Sequence, residues 1–410
     1  MQTSSRGGLV ALSLSMLLAA LGTSIANVGL PSLAHAFAAS FHAVQWVVLA
    51  YLLAITAVIV SAGRLGDYLG RRRLLLAGLL LFALACAGCA ASPSLPWLIG
   101  ARALQGLGAA IMMAMTLGMV GDTVSKQNTG RVMGLLGTMS ALGTAMGPSL
   151  GGLLLNLWGW QALFLVGMPL AGLAAVLAYR YLPMDACRRD ASLPDTFRSP
   201  LRDAGLRAGL AMSALVSAVI MATFVVGPFY LSRGLGLDPA LMGLAMAVGP
   251  AVAAITGIPA GYLTDRLGTR RLTLLGIGTM LCAALWLSQV SGLVAYIAAL
   301  MGLTTGYSLF QAANNTAVMS DVPATRRGTV AGLLNLSRNL GLIFGASVLG
   351  AVFARSSPDV TQATPQTVTA GLHATFATAA GLILLAGVIA WNRARKRAGS
   401  EQTNIDKLKS

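Results

Sequence analysis

Along the chain, long apolar runs alternate with short clusters of glycine, proline and charge. Breaking the runs at those clusters predicts twelve helices, roughly at 9–30, 44–63, 74–92, 96–119, 131–154, 160–182, 207–231, 239–262, 272–290, 292–319, 328–354 and 370–391. Each is about as long as a helix must be to cross a hydrocarbon core about 30 Å thick. The connections are short except for 183–206 and 355–369. The first 26 residues imitate a secretory leader, with one arginine, an apolar run and small residues after it. Similar runs follow at once, so this stretch reads as the first span. The segment "MDACRRDASLPDTFRSPLRDAG" is polar, of mixed charge, and holds two prolines. It reads as a linker, giving a six-span bundle over 1–182, a cytoplasmic linker over 183–206, a second bundle over 207–392 and a basic tail over 393–410.

Composition agrees with a membrane protein. Of the 410 residues, 56% are hydrophobic and only 10% charged, against about 25% charged in soluble domains. The net charge of +16 is therefore read as loop charge on one side of a bilayer and not as a nucleic-acid surface. With the N-terminus in the cytoplasm, all but four of the 28 basic residues fall on the inner side, as the positive-inside rule requires. Arg233 and Arg355 fall outside, and Arg102 and Arg338 fall within spans. An even number of spans puts both termini in the cytoplasm of a cell with a bacterial-type inner membrane. Cys86 and Cys89, in "CAGC", lie inside an apolar run, where thiols serve as small packing groups. With Cys187 and Cys282 they imply no disulfide framework, and no metal site or cofactor is expected.

Two phrases repeat at one offset. "GRLGDYLGRRRL" (63–74) and "GYLTDRLGTRRL" (261–272) agree at eight of twelve positions, 198 residues apart. The same offset overlays "GRVMGLLGTMSALGTAMGPSLGG" (130–152) on "GTVAGLLNLSRNLGLIFGASVLG" (328–350) with ten identities. A single offset serving separated segments predicts a duplicated unit. Parallel repeats about an axis along the membrane normal are one way to build alternating access. In each short phrase the glycines Gly63, Gly70, Gly261 and Gly268 are expected to allow close approach or a tight turn. Asp67 stands four residues before Arg71, and Asp265 five before Arg270, which suits a latch that holds one state and then releases.

These phrases carry a resemblance. "GRLGDYLGRRRL" resembles motif A of the major facilitator superfamily (G-x-L-x-D-x-x-G-R-R-x-x-L), and Gly261, Asp265, Gly268 and Arg270 resemble its second-half copy. "LIGARALQGLGAA" (98–110) resembles motif B through Arg102, Gln105 and Gly106. "GTAMGPSLGG" (143–152) resembles motif C of drug antiporters through Gly143, Gly147, Pro148, Gly151 and Gly152. "LGTSIANVGLP" (21–31) resembles the first-span signature of fourteen-span drug:proton antiporters, with Gly22 where that signature carries Asp. The resemblance implies an all-α integral membrane protein of twelve transmembrane helices, in two six-helix bundles related by a pseudo-twofold axis. It also implies a latch completed by Asp122 and a coupling role for Arg102. Motif C implies an interface that seals the outer-facing path.

Every carboxylate lies in a loop, a tail or at a span end. The intramembrane charges are Arg102 and Arg338, so the substrate is expected to be amphipathic and neutral or anionic. A buried guanidinium costs about 2.5 kcal/mol or more and must find a partner or a wet cavity. Candidate cavity residues are Asn27, Gln45, Tyr51, Phe224, Gln311, Asn314, Asn315, Asn335 and Arg338, each of which could equally tie helices together. The function expected is secondary active export by a monomer working with lipid, substrate and protons, and not enzyme catalysis. Export of one metabolite (a sugar or siderophore) and a non-transporting receptor are the alternatives.

Overall fold

The computed structural model describes residues 2–123, 129–183, 203–320, 322, 327–356 and 363–409; within its helices some side chains, those of Asp67 and Asp122 among them, lie outside the description. The described residues form helices and connections, with no strand. In chain order the helices are α1 (Gln2–Val28), α2 (Leu30–Ala36), α3 (Phe41–Leu69), α4 (Arg71–Ala90), α5 (Leu95–Thr123), α6 (Thr129–Trp158), α7 (Ala162–Leu165) and α8 (Gly167–Tyr181). They continue as α9 (Ala204–Phe229), α10 (Pro239–Leu267), α11 (Thr269–Leu287), α12 (Leu293–Met319), α13 (Arg327–Phe344), α14 (Gly350–Ser356) and α15 (Pro365–Lys409). Among the described residues, eleven stretches are long and apolar enough to cross a membrane. The remaining predicted span falls in α6, a 30-residue helix carrying Pro148.

Three spans depart from simple helices. The first stops at Val28, and Pro31 near the start of α2 suits a fresh helical turn because its missing N–H is not needed there. A π-helical turn, Tyr230–Gly234, ends α9, and another, Gly345–Leu349, joins α13 to α14. Such turns insert one extra residue, a local register change that hydropathy does not encode.

By contact the chain separates into two compact units. The first comprises Met1–Leu193, Phe224–Ala254 and Gly350–Gly371; the second comprises Pro194–Thr223, Ile255–Leu349 and Leu372–Ser410. This division differs from the two sequence halves, because parts of α9, α10, α14 and α15 pack with the first six spans inside the first unit.

The duplication is visible in atomic detail within each unit. In the first, a Cβ placed on Gly108 of α5 would lie 2.9 Å from the carbonyl oxygen of Gly78 in α4. In the second, a Cβ on Gly306 of α12 would lie 2.7 Å from the carbonyl oxygen of Gly276 in α11. Both pairs are related by 198 residues. Gly143 of α6 faces the carbonyl of Leu17 in α1, and its counterpart Gly341 of α13 faces that of Ala214 in α9. Without Cβ atoms these backbones meet directly, which matters in lipid, where dispersion and polar contacts replace the hydrophobic drive between helices. Gly70 (φ +93°) and Gly268 (φ +79°), again 198 apart, turn the chain from α3 to α4 and from α10 to α11. Their N–H groups donate to Gly66 and Thr264, at 3.1 and 3.0 Å.

Gly306→Ala is expected to lower the thermal midpoint of the detergent-solubilised protein, by overpacking that costs about 1–3 kcal/mol. Gly278→Ala, whose Cβ would meet nothing within 4 Å, should leave it unchanged. Equal midpoints for the two variants would remove the close-packing role.

Candidate functional site

In the first unit, one end carries the start of α1 and the other carries α2; they are called here the terminal and far ends. At the terminal end Gly70 delivers three arginines to the start of α4. Arg71 reaches across to α5 and donates from Nη1 to the carbonyl of Gly118 at 2.6 Å. Arg72 donates to the carbonyl of Tyr179 in α8 and lies 5.2 Å from that ring. The ion pair expected between Asp67 and Arg71, and the part expected of Asp122, lie outside the described side chains. In the second unit Asp265 and Arg270 are exposed. One expectation needs correction: Gly63 and Gly261 make no close approach, since a Cβ on either would meet nothing within 4 Å. Gly66 fills that role in the first copy, pressed against the side chain of Met115 in α5.

Arg102, the eighth residue of α5, is fully buried. Its Nε donates to the carbonyl of Val47 (3.0 Å), Nη2 to that of Gly22 (3.1 Å) and Nη1 to Oε1 of Gln105 (2.5 Å). The guanidinium also lies 4.2 Å from the ring of Tyr51, whose hydroxyl donates to the carbonyl of Ala19 at 2.8 Å. Gln105 then donates through Nε2 to the sulfur of Cys86 at 3.0 Å. Carbonyl dipoles and a ring face thus take the place of a carboxylate partner. A side chain on Gly22 would meet the Tyr51 hydroxyl at 2.7 Å, so Tyr51 occupies the space in which an Asp at position 22 would begin. Gly106 lets α5 press against the backbone of α3 at Tyr51. Tyr51, expected to line a cavity, is therefore a buried member of this cluster.

At the far end, Gly143, Gly147 and Gly151 seat α6 against α1. Gly152 turns the other way: its Cβ would lie 2.8 Å from Cα of Gly243 in α10, and one on Gly243 would lie 2.8 Å from Cα of Gly152. Gly350 of α14 meets the side chains of Gln45 and Phe41 in α3 in the same manner. Gly152 and Gly350 differ by 198, and so do Gln45 and Gly243. The two contacts are copies of one contact related by the internal repeat. Beside them Phe41, Phe229 and Phe353 form a buried triad with ring centroids 5.0–5.9 Å apart. Gly243, Gly350 and the triad were missed by motif reading, although adding 198 to Gly152 and to Gln45 points to the first two.

The remaining polar residues divide by surroundings. Asn27 is buried, donating to the carbonyl of Thr23 at 3.2 Å while its Oδ1 has no partner. In the second unit Asn314 donates to the carbonyl of Gly209 at 3.1 Å, and Oδ1 of Asn314 and Oε1 of Gln311 are buried without partners. Phe224, Asn315, Asn335 and Arg338 are half-buried.

A duplicated set of helices long and apolar enough to cross a membrane, joined at one end of the first unit by contacts that repeat at the same offset, is the architecture of a multi-span membrane transporter. The model of the Major Facilitator Superfamily matches residues 12–346, and the chain belongs to that family. It is 27% identical over 401 residues to the riboflavin transporter RibZ of Clostridioides difficile, covering 85% of this chain and 88% of that one. It is 28% identical over 407 residues to the multidrug resistance protein Stp of Mycobacterium tuberculosis (84% and 75% covered). To the multidrug efflux pump LfrA of Mycolicibacterium smegmatis it is 29% identical over 418 residues (86% and 82%). Among solved structures, a bacterial homologue of the lysosomal transporter Spinster, inward-facing and unoccupied, superposes with a TM-score of 0.82 at 16% identity, covering 96% and 98% of the two chains. The nucleoside transporter NupG superposes at 0.76 with 13% identity, covering 94% and 99%. Those two likenesses show the fold.

Gln105→Leu leaves a guanidinium N–H of Arg102 unpaired and should destabilise the protein by about 1–3 kcal/mol. Gln105→Glu keeps an acceptor within reach and should not. Thermal unfolding in detergent distinguishes them; equal midpoints would show that Arg102 is held without Gln105.

Proposed function

We propose that the chain exports small amphipathic compounds, neutral or anionic, by alternating access. The observation that carries this reading is the repeated contact at the far end, Gly152 on Gly243 and Gln45 on Gly350. The first is backbone on backbone and the second a single glutamine side chain on a glycine, so the sequence halves can part and re-form there with little repacking. The distribution of basic residues makes the terminal end cytoplasmic and the far end external. The structure is then read as closed outside, with two six-span halves, 1–182 and 207–392, moving as bodies in a bacterial inner membrane. The multidrug names of two relatives support efflux, and the absence of a carboxylate within the spans argues against strongly cationic cargo.

Proton drive is the finer part of the proposal. It rests on resemblance to drug:proton antiporters, and the groups available to it are Asp67, Asp122 and Asp265 near the cytoplasmic ends of spans. The bonds made by Arg102 suit a cluster that holds α1, α3 and α5 together near the coupling region. RibZ supports a second reading, a transporter dedicated to one metabolite.

In energised cells, efflux of an amphipathic dye should slow more than tenfold in Gly243→Leu, because bulk at that crossing keeps the outer end from closing. A protonophore should abolish the wild-type signal, and Asp67→Asn should reduce it. Unchanged efflux in Gly243→Leu would remove the gate, and protonophore-insensitive efflux would remove proton drive.

A further inference from the structure

Of the two arginines inside spans, one is fully satisfied and one is not. Arg102 spends its donors on Val47, Gly22 and Gln105 and is 0% exposed. It offers nothing to a ligand. Arg338 is half-buried, and no hydrogen bond or ion pair joins it to any described residue. The same holds for Asn335 and Asn339.

The periodicity of α13 sorts its surface into three arcs, at about 100° per residue. Val330, Leu333, Ser337 and Gly341 are buried. Ser337 donates to the carbonyl of Leu210, and Gly341 packs against the backbone of Ala214, so this arc is the one against α9. Gly332, Leu340 and Phe344 are exposed, and their mean direction lies about 180° from Arg338, so the exposed apolar arc suits lipid and Arg338 points away from it. Between the two lies a polar arc about 100° wide carrying Arg338, Asn335 and Asn339. An unpaired cation within a span, turned from lipid and flanked by two amides, requires water or a ligand in front of it.

Its level along the helix is set by Ser337. Leu210 is the seventh residue of α9, about 9 Å from the start of that helix. Beside it, Leu206, Val318, Val330 and Leu333 form an apolar cluster at the start of α9, the end of α12 and the start of α13. Asn335, the first residue of the polar arc, lies two residues, about 3 Å, past Leu333 along the helix. A ligand in front of that arc meets a cation and two amides, while the apolar cluster lies on the other arc, against α9.

We infer that Arg338, with Asn335 and Asn339, recognises the anionic group of an amphipathic monoanion, a carboxylate or sulfonate on an apolar body, and that such molecules are the preferred cargo. This rests on the exporter reading and narrows its substrate class. The planar guanidinium matches a two-oxygen anion by paired N–H donors, and the amides supply further donors. An anion leaving an inside-negative cell moves down the membrane potential, so that potential adds to the proton drive proposed above.

The test compares two probes sharing one skeleton: 8-anilinonaphthalene-1-sulfonate and its uncharged parent, N-phenyl-1-naphthylamine. Binding to the full chain in nanodiscs is measured against empty nanodiscs, and transport separately in proteoliposomes. Wild type should bind the sulfonate about tenfold more tightly than the parent, one charge-assisted contact. Arg338→Gln should abolish that preference and leave the parent's affinity unchanged, while Arg338→Lys should keep most of it. Should Arg338→Gln fail to fold, Asn335→Leu should still weaken sulfonate binding alone, about threefold or more. Equal affinities in wild type, parallel loss of both probes in Arg338→Gln, or binding of neither probe would overturn the assignment. A charge preference in binding without transport would leave the anion contact at Arg338 and remove the exporter reading together with its cargo. Transport indifferent to the sulfonate would keep export and overturn the assignment.

Discussion

Direct backbone contact between helices, made possible by glycine, is the constraint on which the rest of this structure depends. In lipid no hydrophobic effect drives two apolar helices together, so affinity must come from dispersion between closely fitted surfaces and from polar contacts. Gly78 on Gly108 and Gly276 on Gly306 bring neighbouring helices to van der Waals distance within each unit. The same means, used at Gly152 and Gly243, holds sequence halves together at the far end of the first unit. The contacts within each unit are extended by the side chains of Phe82 and Ile111 in one copy and by the Met280 side chain and the Phe310 backbone in the other. The far-end contact is bare backbone on one side and a glutamine on the other. At the Gly152–Gly243 crossing itself backbone meets backbone, with no side chain between the two glycines.

Much of this was legible in the sequence because the repeat is. The offset of 198 residues, found from charged loop phrases, also relates the glycine pairs, the two left-handed turns and the two far-end contacts. Span positions followed from hydropathy alone, since span length is fixed by bilayer thickness. What stayed hidden was direction around a helix. Gly63 and Gly66 are about one turn apart; Gly63 fits the motif, yet it is Gly66 that faces a neighbour. Tyr51 reads as a polar aromatic suited to a cavity; its ring lies against Arg102, which no spacing rule reveals. Asp67 and Asp122, whose side chains lie outside the description, keep the latch where the sequence left it. The π turns at Tyr230–Gly234 and Gly345–Leu349 depend on tertiary packing and leave no compositional trace.

The two intramembrane arginines show why residue type and depth are insufficient to assign a role. Each would be costly in hydrocarbon; Arg102 was expected to serve coupling and Arg338 to line a substrate cavity. Arg102 meets its cost with carbonyls at 3.0 and 3.1 Å, an amide oxygen and an aromatic face. Those partners come from α1, α3 and α5, so the charge serves as a tie among three helices. Tyr51 is central to this arrangement: it blocks the place where a carboxylate on residue 22 would stand and supplies a ring face in its stead. A carboxylate there would give the cluster a group able to exchange a proton; the ring leaves a cation with fixed dipoles around it. Arg338 has none of these partners. A fixed charge with no partner among the described residues must be solvated by water or met by a bound ligand, and in that way the charge inventory of the spans bears on the choice of cargo.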